Sequence, residues 1–117
     1  MEETEKKTID IFRRNLLALL SQEPGISMRQ LSQDIHASDS YIQKVLTNKT
    51  NPSFDKIDSL GEYFHLQGWE LFYDFEDAAP DSLAIIQLMN TLPPALLPHV
   101  REYMQFLLDQ YNSISTP

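Results

Sequence analysis

A chain of 117 residues with 42% apolar content and no cysteine is long enough to bury one core, and it excludes disulfides, thiol nucleophiles and thiolate metal sites. Its net charge of -8 argues against a uniformly basic nucleic-acid binder, and no apolar run approaches the roughly 18 residues a transmembrane helix needs. With three glycines, no glycine-rich phosphate loop, no G-x-S-x-G and no HExxH, neither enzymatic activity nor a cofactor is expected.

Residues 1–6 are charged and expected to fray. The opening MEETEKKT is acidic and lacks the apolar stretch of a secretory signal, so a cytoplasmic location is expected. A first helix is predicted from about Lys7 to Gln22. Ile9, Phe12, Leu16 and Leu20 recur at spacings of three and four as its inward stripe, Leu17 and Leu19 broaden it, and Arg13, Arg14 and Asn15 lie off it. Pro24-Gly25 breaks the chain. Ser27 then opens a second helix as a capping box with Gln30, and Ile26 and Leu31 are placed for a hydrophobic staple. Leu31 and Ile35 face inward with the small Ser32 between them, and His36-Ala37 interrupts the pattern.

Ser38 is expected to cap a third helix, with Asp39 in its first turn. Ile42, Val45 and Leu46 point inward, leaving Asp39, Ser40, Gln43, Lys44 and Thr47 outward. The helix should stop near Asn48, a residue that tolerates a left-handed backbone. Asn51-Pro52-Ser53 leads to a fourth helix capped by Ser53, with Phe54, Ile57, Leu60 and Phe64 inward. Leu66, Trp69, Leu71 and Phe72 continue the apolar face through a short fifth helix ending near Tyr73.

The pattern divides the chain into a five-helix domain at 1–73, an acidic linker at 74–80 and a helical hairpin at 81–117. In the hairpin, Asp81 or Ser82 caps a helix bearing Leu83, Ile86 and Met89 or Asn90, which ends before Pro93-Pro94. The last helix begins around Ala95 or later, because Pro98 is tolerated only within a first turn. Its stripe, Leu97, Val100, Met104, Leu107 and Tyr111, has the spacing of a coiled-coil seam. Leu96, Tyr103, Phe106 and Leu108 add apolar groups on other faces, so the helix needs a cover. The cover is either the first domain or a second copy. The second is the favoured expectation, with the stripe as a homodimer seam stabilised at roughly 25 cal/mol per Å² buried.

Two short helices joined by a tight turn, the second uncommitted on its outer face, form a helix-turn-helix layout. The residues GISMRQLSQDI, the turn with Ser38, SYIQKVLTNKTNPS, and FDKIDSLGEYF closing in WELF resemble the lambda repressor and Cro type of DNA-binding domain, often called the Xre family. The likeness runs from Ile26 to Phe72 and extends to the first helix. It implies an all-α, lambda-repressor-like domain that binds double-stranded DNA as a transcriptional regulator, more often a repressor, acting as a homodimer on a two-fold-related operator.

Carried over by position, Asp39, Ser40, Tyr41, Gln43 and Lys44 read base edges, with Lys44 suited to guanine and Asp39 to cytosine. Arg13, Arg14, Asn15, Met28, Arg29, Lys49, Thr50 and Asn51 lie where phosphates are contacted, which should make affinity fall steeply with salt. The sequence departs from the family pattern at two positions. Met28 stands where relatives often carry a DNA-contacting glutamine, and His36 replaces the usual turn glycine and must accept a left-handed backbone or shift the turn. The charge fits once divided. Residues 1–61 hold nine acids against eight bases, whereas 62–117 hold eight acids against Arg101 alone, so the acidic half belongs on the side away from DNA.

Two readings compete with DNA binding. The fold could serve as a protein-binding module, which Asp39 and the near-neutral first half favour, or as an antitoxin whose hairpin holds a toxin. A metal site from Glu62 with His65 and His99 with Glu102 is not expected, because the further inward carboxylates it needs are missing.

Overall fold

The computed structural model describes residues 7–22 and 24–115, so the charged start at 1–6 lies outside the described residues. The architecture is all-α, with no strand among the described residues. Helices α1 (Thr8–Leu20), α2 (Met28–Asp34), α3 (Tyr41–Leu46) and α4 (Phe54–Tyr63) are followed by a 3-10 segment (Gly68–Phe72). Then come α5 (Ser82–Thr91), a 3-10 turn (Pro94–Leu96) and α6 (Leu97–Ser115).

One core gathers the inward faces of α1 to α4 and the 3-10 segment. Phe12, Leu16, Leu31, Ile42, Val45, Leu60 and Leu71 are completely enclosed, and Phe72 stacks on Phe12 with ring centroids 5.2 Å apart. The caps that start α2 and α4 are local. The Ser27 hydroxyl accepts from the Gln30 amide at 3.0 Å and that of Ser53 from the Lys56 amide at 3.2 Å, each satisfying one orphan donor of a helix start. His36 and Asn48 both take a positive φ, at 61° and 66°.

Three expectations are corrected. The fifth helix is 3-10, closed by bonds three residues apart, Gln67 to Glu70 and Glu70 to Tyr73, and begun by a Gln67–Glu70 capping box. Trp69 is 70% exposed and Phe54 85%; Phe54 is the first residue of α4, before the core begins, and the 3-10 segment buries Glu70 and Leu71 in place of Trp69. The third helix starts at Tyr41 rather than behind a Ser38 cap. The Ser38 carbonyl accepts from the Tyr41 amide at 2.9 Å, leaving Asp39 and Ser40 in the turn.

Gly61, buried within α4, lets the following chain close onto the helix. A Cβ there would stand 2.7 Å from the Leu66 carbonyl oxygen and 3.1 Å from the Gly68 nitrogen, both backbone atoms. Gly61→Ala is therefore expected to destabilise by about 1–2 kcal/mol in urea unfolding, the overpacking strain exceeding the roughly 1 kcal/mol gained in helix propensity. A variant at least as stable as the parent would show that the 66–68 segment yields at little cost.

The two hairpin helices behave differently. Leu83 and Ile86 of α5 pack against the core. The Gln87 amide donates to the Phe64 carbonyl at 2.8 Å, and that of Asn90 to the His65 carbonyl at 2.9 Å and to Glu70 at 2.8 Å. The first two of these bonds satisfy carbonyls left open at the end of α4, and the third reaches the Glu70 carboxylate of the 3-10 segment. By contrast, α6 packs closely only on the turn that precedes it. The radius of gyration, 17.4 Å, exceeds the roughly 13 Å of a compact chain of this size. Among the described residues no single helix is long and apolar enough to cross a membrane. Helices α5 and α6 reach that length and apolarity only jointly, and they are bent by 118° at their break.

Candidate nucleic-acid interface

The turn between α2 and α3 and the far end of α3 are held by side chains from three elements. Ser32, fully buried on α2, donates to the Met28 carbonyl at 2.8 Å and accepts from the Ile42 amide at 3.0 Å. It thereby satisfies an open donor in the first turn of α3 while docking that helix on α2. Lys56 of α4 donates to the carbonyls of Ile35 and His36 at 3.0 and 3.2 Å, supporting the backbone where His36 turns left-handed. The other end of α3 is fixed by Arg13 of α1. Its guanidinium donates to the Val45 carbonyl at 2.7 Å and to the side-chain oxygens of Asn48 and Asn51 at 2.7 and 3.1 Å. Nothing in the local sequence signals Lys56 or Arg13 for these roles, since their partners lie 20 to 38 residues away.

With both ends tied and Ile42 and Val45 enclosed, α3 turns its other side to solvent. Gln43, Lys44, Lys49 and Asn51 are exposed, as are Met28 and Arg29 at the start of α2, while Ser40 and Thr50 are half-buried. Arg29 meets two further exposed groups, Gln33 and Asp39, beside the α2–α3 turn. One oxygen of Asp39 lies 3.2 Å from the Arg29 guanidinium and the other accepts from the Gln33 amide at 3.1 Å. Both carboxylate oxygens are thus engaged by neighbours on α2. The pair is mostly exposed, so it contributes little to stability; it orients Arg29 at the turn that leads into α3.

Other expected contact residues are placed elsewhere. Asn15 is buried, and its amide donates to the Leu71 and Tyr73 carbonyls, both at 2.7 Å; it is a core residue and not a solvent-facing one. Tyr41 packs partly against the core, its hydroxyl has no solvent access, and burial pushes its phenol above the usual range, opposed in part by the Ser53 backbone. Its ring is therefore not offered to a base. Arg14 forms ion pairs with Asp74 at 3.3 Å and with Glu76, which fasten the acidic segment to the back of α1. Arg13 keeps only 12% of its side chain exposed, consistent with its structural bonds.

Among the described residues no three histidines, aspartates or glutamates converge to hold a metal ion. His99 and Glu102 of α6 approach each other at 3.9 Å, one turn apart on an exposed helix. Among known proteins, no family model, no curated protein and no solved structure matches this chain.

Proposed function

We propose that the chain is a sequence-specific DNA-binding transcriptional regulator, a repressor that binds a two-fold-related operator as a homodimer in the cytoplasm. The observation that carries this reading is α3. It is a short helix tied at both ends to other elements, enclosed on one side, with a polar, lysine-bearing face that lies exposed among the described residues. Such a helix lies in a major groove in helix-turn-helix proteins, and two of them one helical turn apart on DNA would occlude polymerase. Lys44 and Gln43 are its base readers, and Lys49 and Asn51 follow it to the phosphates. The lambda-repressor-like assignment of residues 1–73 belongs to the same reading.

The test is selection from a randomised duplex pool at moderate salt, followed by sequencing of the bound fraction. An enriched inverted repeat supports the proposal. No enrichment even at low salt would favour the protein-binding or antitoxin reading, which the exposed apolar surface of α6 makes the natural rival.

Two results are expected once an operator is in hand. Lys44→Ala should relax the preference at one base pair of each half-site and cost about 1–3 kcal/mol against the best sequence; a uniform loss across all sequences would reassign Lys44 to a phosphate. Asp39→Asn should tighten binding to random duplex by up to about tenfold at low salt, since it removes a negative charge and releases Arg29 to a phosphate. Unchanged binding would place the Asp39–Arg29 pair away from the DNA. With Arg13 and Arg14 engaged inside the protein and Lys44 on a base edge, the dimer brings one lysine, Lys49, from each chain to the phosphates. The slope of log affinity against log salt should be about -2, roughly 0.9 per phosphate neutralised.

A further inference from the structure

Helix α6 is apolar over more of its circumference than one partner helix can cover. On the seam, Leu97, Met104, Leu107, Tyr111 and, three residues on, Ile114 at 82% are exposed; outside it, so are Tyr103, Phe106 and Leu108, and Leu96 in the turn before the helix. The exposure continues onto α5, where Ile85 and Leu88 face solvent. Between the two helices an open apolar groove is lined by Met89, Pro94, Leu97, Val100, Arg101 and Met104. A two-stranded coiled coil buries only the narrow seam. It would leave Leu88, Tyr103 and Leu108 in water.

We propose that this surface takes a second copy of the chain, each copy lodging its α6 in the crook between the partner's α5 and α6, so that four helices share one core. Three observations select a copy of the chain as the occupant. The exposed apolar side chains amount to on the order of 1,000 Å² per chain, enough for the roughly 800 Å² per partner of a stable interface. A two-fold interface must complement itself, and this one is apolar except for Arg101 at the edge of the groove. Residues 82–117 carry only Arg101, Glu102 and Asp109 as ordinary charges, so two copies meet without repulsion and nothing there selects a strongly charged partner. The crook is also anchored. Gln87 and Asn90 bind α5 to the end of α4, so the interface sets the spacing of the two α3 helices.

The inference deepens the homodimeric reading above, but it is tested without DNA, so a failed operator selection leaves it standing. Sedimentation equilibrium of the full chain from nanomolar to tens of micromolar should give a dimer. Leu88→Glu on α5 and Leu108→Glu beside the seam should each weaken it at least about 100-fold, because each would bury a charge in the shared core. Gln105→Glu, on the polar side of α6, is the matched control and should leave the dimer intact. All three positions are exposed in a single chain, so each variant should keep the parent's helical circular dichroism in the native baseline, and the two that break the dimer should melt lower only by the stabilisation that dimerisation lends the fold. A dimer broken by Leu107→Glu but untouched by Leu88→Glu and Leu108→Glu would reduce the interface to a two-stranded seam and overturn the four-helix arrangement. A parent chain that stays monomeric throughout would overturn the second copy as occupant.

Discussion

Replacing Asn15 by leucine is expected to lower the stability of the fold by about 3 kcal/mol, a large share of the 5–15 kcal/mol typical of a domain. Leucine keeps the branching of asparagine but is bulkier, which adds some overpacking strain, and it has no donor for the Leu71 and Tyr73 carbonyls, each now bonded at 2.7 Å. An acceptor stranded away from water costs about 1–3 kcal/mol; the Leu71 carbonyl lies in the buried part of the site and the Tyr73 carbonyl is half-covered. The two bonds fasten the end of the 3-10 segment to α1, so their loss should free that segment first. Far-ultraviolet circular dichroism against urea measures the effect, and the melting temperature should fall by about 15 °C, at roughly 4–8 °C per kcal/mol. A midpoint at the parent's value would mean that water reaches both carbonyls. The same variant separates two roles for Asn15. A phosphate contact would weaken DNA binding with the midpoint unchanged, whereas the core role moves the midpoint.

Asn15 also marks where the sequence stops being legible. The caps at Ser27 and Ser53, the left-handed residues His36 and Asn48 and the inward faces of α2 and α3 can be read because each depends on residues within about one helical turn. Helical periodicity gives the angle at which a side chain leaves its helix, not how far the core extends along the axis. Phe54 keeps the spacing of Ile57 and Leu60, yet it stands in the first turn of α4, outside the core. The polar residues of α1 are opaque for a different reason. An arginine or asparagine off the apolar stripe reads as solvated, and only the fold brings Val45, Asn48, Leu71 and Tyr73 within reach, 32 to 58 residues along the chain.

The same contacts change the electrostatic account of the candidate interface. Counted along the sequence, the first half offers eight cations, and several appear available for phosphates. In the fold, Arg13 and Lys56 hold the two ends of the unit formed by the α2–α3 turn and α3, Arg14 pairs with the acidic segment, and Arg29 pairs with Asp39. Charge that would have driven non-specific attraction instead fixes the shape of the α2–α3 face. On the function proposed above, the protein would therefore gain little from DNA of arbitrary sequence and depend on the right bases, and on binding two half-sites together, for its affinity.

That dependence gives the largest expected effect on function. Leu107→Glu, which places a charge on the α6 seam, should lower affinity for a complete operator by about 10²- to 10⁴-fold, the gain that two linked sites have over one. Affinity for an isolated half-site should stay at the parent's value. The argument rests on where Leu107 is. It is exposed in a single chain and lies on a helix that packs closely only on its own preceding turn, so the substitution leaves the core, the α2–α3 turn and every outward group on α3 as they were. Only the joining of the two reading surfaces is removed. Fluorescence anisotropy on full and half operators at one salt concentration measures it, with the variant expected to bind the full site no more tightly than the half. If Leu107→Glu retained the parent's preference for the full site, the two heads would have to meet through some surface other than α6, and the α6 seam would lose its role in DNA binding.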